Sequence, residues 1–405
     1  MKRTTCGACG YDDLRVFLDL GLSPVADAYT DEPWGGGERY PLQVAICTGC
    51  HLAQLLEVVD QKTLFGTGYS FYSSASPPLS AYHEDYARNV VWEHGDLAKR
   101  LVVEIGCNDG DMLRHFARAC PAVGVDPSGG PVEKARERGL NVLNLPFTTY
   151  AAERIKDEYG PAGIVIANHV LAHVESVSEV LHGVAELLAP DGFAYVEVQY
   201  LPDLLTNNAF DLVYHEHRNF FSLTSLAAAA ARWGLVPVDA QLTDRQGGSL
   251  RVKLTHRANL ERTGTLNVQS VLYRERWLQH FDAYGGVQGR VERIRDRLQQ
   301  LVLDEQAEGR SVAVYGAPAK ATTLLHFCGL DTQHLDFVLD STVAKQGRYV
   351  PGTGLRIHPP GVELAGDIDT FLITSWNYTR TIMRNHERAF GERRWIVPIP
   401  APVIL

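Results

Sequence analysis

Two short cysteine pairs, Cys6-Gly-Ala-Cys9 and Cys47-Thr-Gly-Cys50, bracket the start of the chain. Each two-residue spacer lets a tight turn aim both sulfurs at one point, and four thiolates form the tetrahedral soft-ligand shell that Zn²⁺ prefers. Cys6, Cys9, Cys47 and Cys50 are therefore expected to hold a structural zinc with no position left open for water. His51 follows the last of them, but four sulfurs already fill the shell. The other three cysteines, Cys107, Cys120 and Cys328, stand singly, which fits a reducing compartment with metal-bound thiols better than disulfides.

A chain of 405 residues exceeds one ordinary core, so two to three domains are expected. Its 45% hydrophobic and 21% charged content is that of a globular protein. A net charge of −10 argues against a phosphate-backbone partner, and nucleic acid is excluded as the expected ligand. Met-Lys-Arg-Thr-Thr-Cys carries no apolar signal core, and no long apolar run appears later. The expectation is a cytoplasmic protein with no membrane partner. Its oligomeric state is left open, with a monomer as the default.

Residues 1–65 read as small strands and turns around the metal. A hydroxyl-rich connector follows, and Ser80 to Leu97 reads as a helix. From Leu101 short apolar runs alternate with helical stretches: Leu101–Ile105, Ala122–Val125, Gly163–Ile166 and Gly192–Val198 as strands, Pro131–Glu137 and Ser178–Leu188 as helices. That alternation predicts a mainly parallel sheet wrapped by helices. Val268 to about Glu308 reads as a polar, arginine-rich helix pair. A second strand–glycine–helix unit opens at Ser311, with Asp336–Leu339 and Thr370–Thr374 continuing it. The two strand–glycine units are alike in layout only.

Ligands of open parallel sheets bind beyond the carboxyl ends of the strands. The turn Gly106-Cys-Asn108-Asp109-Gly110 lies there, Glu104 ends its strand with a carboxylate, and Asp126 closes the next strand where it can accept both hydroxyls of a ribose. The turn is short and offers no open helix N-terminus for a pyrophosphate, so a cofactor with a ribose and no phosphates suits it. VVEIGCNDGDML followed by GVDPS resembles motif I and the acidic loop of class I S-adenosylmethionine-dependent methyltransferases. Glu104, Gly106, Asn108, Asp109, Asp126 and Asn168 form the expected cofactor set.

Three segments are rich in proton-moving groups: Tyr69-Ser-Phe-Tyr72 in the connector, Asn168-His169-Val-Leu-Ala-His173, and Tyr214-His215-Glu216-His217. Four consecutive titratable or hydroxyl side chains between apolar flanks are costly to bury unless paired, which points to a site. A catalytic metal there is the weaker reading, since alternate residues of His-Glu-His would point apart on a strand.

The cysteine module, VVEIGCNDGDML, YHEHRNFFS, GGSLRV at 247–252, VYGAPAKATTLL and LDSTVAKQGRYVPGT together resemble the three-domain sugar C-methyltransferases that act on nucleotide-linked 4-keto-6-deoxysugars in antibiotic sugar biosynthesis. The resemblance covers the chain in order. It implies an α/β fold with a zinc-binding module at 1–65, a class I (Rossmann-like) methyltransferase domain with its connector at 66–265, and a second Rossmann-like domain at 266–405 that helps hold a dTDP-linked ketosugar. It also implies His217 as the base that makes the carbon beside the ketone nucleophilic, with Glu216 and Tyr214 orienting it or the sugar. His173 and either Tyr69 or Tyr72 would sit near the ketone oxygen, and His215 would face the substrate. Lys320, at the start of a helix, and Lys345 and Arg348, in a loop, would receive the diphosphate. C3 is the favoured carbon, by resemblance alone. The alternatives are an O- or N-methyltransferase of a small metabolite and a zinc-containing scaffold. A nicotinamide enzyme is weaker still, because the first glycine turn lacks the phosphate-binding spacing.

Overall fold

The computed structural model describes residues 1–60, 63–64, 72–95, 97–262, 266–361 and 366–405. Among these, no helix is long and apolar enough to cross a membrane. Tyr69 lies outside the described residues.

The N-terminal module is a small antiparallel sheet of β1 (Leu14–Pro24), β2 (Arg39–Cys47) and β3 (Ala53–Leu55). Its inner face, with Leu18, Leu42, Val44 and Leu55 buried, seals against neighbouring elements rather than closing on itself.

The central sheet is built from β4 (Leu101–Ile105), β5 (Ala122–Val125), β6 (Val142–Leu143), β7 (Ala162–Asn168) and β8 (Leu188–Gln199), all parallel. β4 and β7 are almost wholly buried, as strands covered on both faces must be. After β8 the chain makes β9 (Asn219–Phe220), then β10 (Leu235–Thr243) and β11 (Ser249–His256). β11 inserts antiparallel between β8 and β10, and the full order is β10-β11-β8-β7-β4-β5-β6. β9 does not join this sheet. It pairs with β3 and so becomes the fourth strand of the N-terminal one.

The expected helices form at Pro77–His94, Gly129–Glu137 and Val177–Leu187. The last is capped by Ser176, whose hydroxyl accepts the Glu179 N–H. The arginine-rich stretch divides into Leu266–Arg274 and Val287–Ala307. The first of these buries Val268 and Val271 in the central core, although the sequence division begins the third unit at 266.

The C-terminal sheet has the order β14 (Ile357–His358), β13 (Val338–Leu339), β12 (Val312–Tyr315), β15 (Thr370–Ile373), β16 (Arg394–Val397) and β17 (Val403–Ile404), parallel except for β17. Its first helix is Ala319–Phe327. One hydrophobic core runs from the inner face of β1 and β2 through residues 201–213 into this sheet, so the modules share packing.

Candidate active site

The four expected thiols converge. Cys6 Sγ lies 3.6 Å from Cys50 Sγ and Cys9 Sγ lies 3.6 Å from Cys47 Sγ, with all four within 4.8 Å of one another. That is too far for disulfides and matches the edges of a tetrahedron with metal–sulfur bonds of about 2.3 Å. The donor set therefore fits zinc. Gly10 and His51, each just beyond a pair, adopt φ of +76° and +59°, closing both turns by N–H bonds to Cys6 O and Cys47 O at 2.9 Å. Zinc is expected to co-purify at about one per chain, checked by metal analysis of the folded protein.

The metal module reaches the rest of the site through backbone. The Gly7 carbonyl accepts the Ser178 N–H at 3.1 Å, at the start of the helix that follows His173, and Arg3 Nη2 donates to Glu175 O at 2.9 Å. The Leu55 N–H donates to Arg218 O at 2.9 Å, directly after His217.

At the carboxyl ends of β4 and β5 the chain makes a closed corner. Gly106 has φ +71°, and a Cβ there would lie 2.4 Å from Val170 Cγ2, so only glycine fits. Asp126 accepts the Asn108 N–H at 2.9 Å on one oxygen and the Ser128 N–H at 2.8 Å on the other. A carboxylate has about four acceptor positions, so two remain for a ribose. Glu104 is buried, burial and the neighbouring Asp126 push its pKa well up, and its Oε2 has no partner among the described residues. Asn168, ending β7, receives the Tyr86 hydroxyl on its oxygen at 3.3 Å and has no partner for its amide nitrogen there. These unspent polar atoms at the edge of the sheet fit S-adenosylmethionine.

Two residues of the cofactor set are used differently than expected. The Asn108 side chain accepts the Ser73 N–H at 2.9 Å, and the buried Asp109 carboxylate accepts the Ser74 N–H at 3.3 Å and pairs with Arg138 at 3.3 Å. Both side chains clasp the connector over the glycine turn. Tyr72 lies on the same side: its hydroxyl is 3.0 Å from where a Cβ of Gly130 would stand, and Lys134 Nζ is 5.3 Å from its ring centre. The structure thus groups Tyr72 with the cofactor corner, not with the histidines.

The Tyr-His-Glu-His segment is a turn rather than a strand, closed by the His217 N–H to Tyr214 O at 2.9 Å. The turn brings residues three apart together. The Tyr214 hydroxyl is 2.7 Å from His217 Nε2, and His217 Nδ1 is 2.9 Å from Leu212 O. A carbonyl only accepts, so Nδ1 carries the proton and Nε2 presents its lone pair to the phenol. Burial and the adjacent His173 hold the His217 pKa well below its ordinary value, which keeps the ring neutral. The His173 ring is centred 5.1 Å from that of His217, and its Nδ1 lies 2.8 Å from Glu216 O. Burial lowers its pKa to about 4. The same argument makes neutral His173 an acceptor at Nε2, so it does not serve a ketone oxygen as a donor.

Glu216 does not orient His217. Its Oε1 accepts the Asp27 N–H at 3.4 Å, and burial with the Asp27 charge raises its pKa. His215 turns the other way as well, 1% exposed, with its ring edge-on to Tyr40 of the N-terminal sheet at 5.8 Å. A second buried network was not anticipated. Glu197 near the end of β8 receives the Tyr82 hydroxyl at 2.7 Å, Arg251 Nε at 2.8 Å and His169 Nε2 at 3.3 Å. Burial raises its pKa, but the bonds and charges of His169 and Arg251 outweigh this and hold it at about 2. A lone carboxylate inside the apolar run of β8 was the available signal.

Lys320 is buried, donating to Asn377 Oδ1 at 3.0 Å and lying 4.0 Å from Asp211 Oδ2, so in this arrangement it does not face a diphosphate. Lys345 Nζ donates to Ala317 O at 2.7 Å, and Arg348 Nε to Asp31 at 3.2 Å. The corner they flank resembles the first, with the aspartate bonded one residue nearer the glycine. The Gly106 and Gly316 N–H groups each donate at 2.7 Å to the end of the next strand, at Val125 O and Leu339 O. Asp340 accepts the Ala317 and Thr342 N–H groups at 2.6 and 2.7 Å, as Asp126 accepts those of Asn108 and Ser128. The likeness of the two units extends beyond layout to hydrogen bonding.

The three-part fold and its glycine corner define a methyltransferase carrying a zinc module. Family models match in order: "Putative zinc binding domain" over residues 6–65, "Methyltransferase domain" over 83–240 and "C-methyltransferase C-terminal domain" over 244–400. C-methyltransferase NovU of Streptomyces niveus is 37% identical over 408 residues, covering 99% of this chain and 96% of that protein. The chain belongs to this C-methyltransferase family. A ubiquinone biosynthesis O-methyltransferase of Shewanella pealeana is 26% identical over 164 residues, 36% of this chain and 67% of that protein. Among solved structures, magnesium protoporphyrin IX methyltransferase of Synechocystis PCC 6803 covers 48% of this chain and 88% of its own, at 15% identity and a TM-score of 0.34. The methyl donor is S-adenosylmethionine, and the four thiolates are the zinc site.

Asp126→Ala is expected to weaken S-adenosylmethionine binding by about 1.5–3 kcal/mol, the worth of hydrogen bonds to a charged group. Affinity for the second substrate should hold. Calorimetry with each ligand measures both.

Proposed function

We propose that the protein methylates the carbon beside the ketone, C3 favoured, of a dTDP-linked 4-keto-6-deoxysugar in deoxysugar biosynthesis. The observation that carries the reading is the Tyr214–His217 pair: a neutral imidazole whose Nδ1–H is committed to Leu212 O, leaving Nε2 as a base. Methyl transfer to oxygen or nitrogen would not need this concentration of proton acceptors.

Carbon becomes nucleophilic here only after a proton leaves the position acidified by the C4 carbonyl. On substrate binding the Tyr214 hydroxyl turns from His217 Nε2, the freed lone pair accepts that proton, the C–H electron pair enters the enolate, and negative charge gathers on the ketone oxygen. The imidazolium so formed and the enolate offset one another's burial, which suits a ring held neutral until substrate arrives. Before substrate arrives, the Tyr214 hydroxyl holds His217 Nε2 in place. S-adenosylmethionine, which Glu104, Asp126 and Asn168 would hold, would supply the electrophilic methyl, its sulfur keeping the bonding pair and leaving as the neutral thioether S-adenosylhomocysteine. Glu197, with His169 and Arg251, stiffens the carboxyl end of β8.

For the C-terminal domain the support is the repeated corner at Gly316 and Asp340, a nucleotide-type geometry, flanked by Lys345 and Arg348. These two cations remain the candidates for the diphosphate. The test is product analysis with a ¹³C-labelled methyl donor and a dTDP-4-keto-6-deoxysugar. Carbon NMR should find the label bonded to a ring carbon beside the ketone. Label on oxygen would favour the O-methyltransferase reading.

A further inference from the structure

The proton on His217 Nδ1 is held by a backbone carbonyl, Leu212 O, in the short turn Phe210–Leu212. That turn is gripped by the C-terminal domain rather than by its own sheet. The Trp376 indole N–H donates to Asp211 Oδ2 at 2.6 Å, and Lys320 Nζ lies 4.0 Å from the same oxygen. The Thr323 hydroxyl donates to Val213 O at 2.9 Å, one residue beyond the critical carbonyl. The Phe210 ring packs on Phe327 at 5.1 Å, and Lys320 is itself held by Asn377 and by the face of Trp376 at 3.8 Å. Asp211 is fully buried, and its Oδ1 has no partner among the described residues.

A buried ion pair across a domain boundary is a poor device for stability alone. Apolar residues of similar volume often do as well, and the desolvation of both charges must be offset. What such a pair supplies is a fixed geometry. We propose that Asp211 and Lys320 are positioning residues for the base, a clamp by which the C-terminal domain holds the Leu212 carbonyl where it sets the tautomer and direction of His217. The proposal rests on the reading of His217 as the base. It explains why the lysine opening the helix Ala319–Phe327 is buried against a carboxylate of another domain instead of facing solvent. It also ties alignment of the base to the domain that carries the second nucleotide-type corner.

Lys320→Met removes the counter-charge of Asp211. Misplacing a reacting group by about 1 Å costs on the order of 10²-fold in rate. Lys320→Met should therefore lower kcat and solvent exchange into the ketosugar by about 10- to 100-fold, with KM for the sugar nucleotide unchanged. Nitrogen NMR of ¹⁵N-histidine-labelled protein should find His217 as a single Nδ1–H tautomer in the wild type and a mixture in the variant. Thr323→Val, which loses only the bond to Val213, should move both readouts in the same direction by less, and it serves if Lys320→Met does not fold. Asp211→Asn keeps an acceptor for Trp376 and should retain more activity than Asp211→Ala. A single His217 tautomer in folded Lys320→Met or Thr323→Val protein overturns the clamp. So does a raised KM at unchanged kcat, which would make Lys320 a substrate ligand. A mixed tautomer with wild-type exchange and turnover upholds the clamp and removes His217 as the base.

Discussion

His217→Asn should reduce turnover by about 10²–10⁴-fold, the usual cost of losing a general base, and should leave both ligands bound with unchanged affinity. Asparagine can still donate toward Leu212 O, so the turn keeps one of its ties while the acceptor nitrogen is gone. The loss falls on kcat because the proton leaves only on the way to the transition state. Tyr214→Phe should cost less, since it removes the hydroxyl that aims Nε2 but not the lone pair. Steady-state kinetics beside calorimetry for each ligand separate these outcomes. An equal loss of ligand affinity in His217→Asn would make the residue a binding group.

Loss of zinc should abolish activity although four thiolates leave that metal no open position for a substrate. Metal binding at structural zinc sites is folding free energy, with apparent values of about 10–16 kcal/mol in zinc-finger peptides. Here the fold it supports is continuous with the site. β3 of the zinc module pairs with β9, Asn219–Phe220, immediately after the Tyr-His-Glu-His turn, and Gly7 caps the helix that follows His173. Cys47→Ser, or removal of zinc by a chelator, should therefore lower soluble yield and melting temperature and bring turnover down with them. Turnover measured against zinc content during chelation checks this. Full activity in metal-free protein would leave the module without the role assigned to it.

How much of this was legible in the sequence follows from the range of the interactions. The cysteine cluster was readable because ligand type and two-residue spacing are local properties. The central strands were readable because buried parallel strands are nearly continuous apolar runs, and β4, β5, β7 and β8 overlap the expected stretches. The shape of Tyr214–His217 was not. The segment carries no glycine, proline or asparagine to mark a turn, and its conformation comes from tertiary contacts on both sides: β9 joins the zinc sheet and Phe210–Leu212 meets the C-terminal domain. Nor could sequence tell where long side chains end. Lys320 at a helix start is an apt phosphate ligand by local rules, yet Asp211 and Asn377, far away in the chain, engage it. The reversal of Asp109 from cofactor group to clasp of the connector has the same origin, a partner at Ser74 that spacing does not predict.

Removal of a proton beside a ketone is tested most directly by incubating a dTDP-4-keto-6-deoxysugar with the protein in D₂O, without methyl donor, and following the ring protons by NMR. Wild-type protein should wash deuterium into the carbon beside the ketone, C3 favoured, and His217→Asn should fail to do so. No exchange at either carbon flanking the ketone with active wild-type enzyme, or exchange at the wild-type rate in His217→Asn, would contradict it.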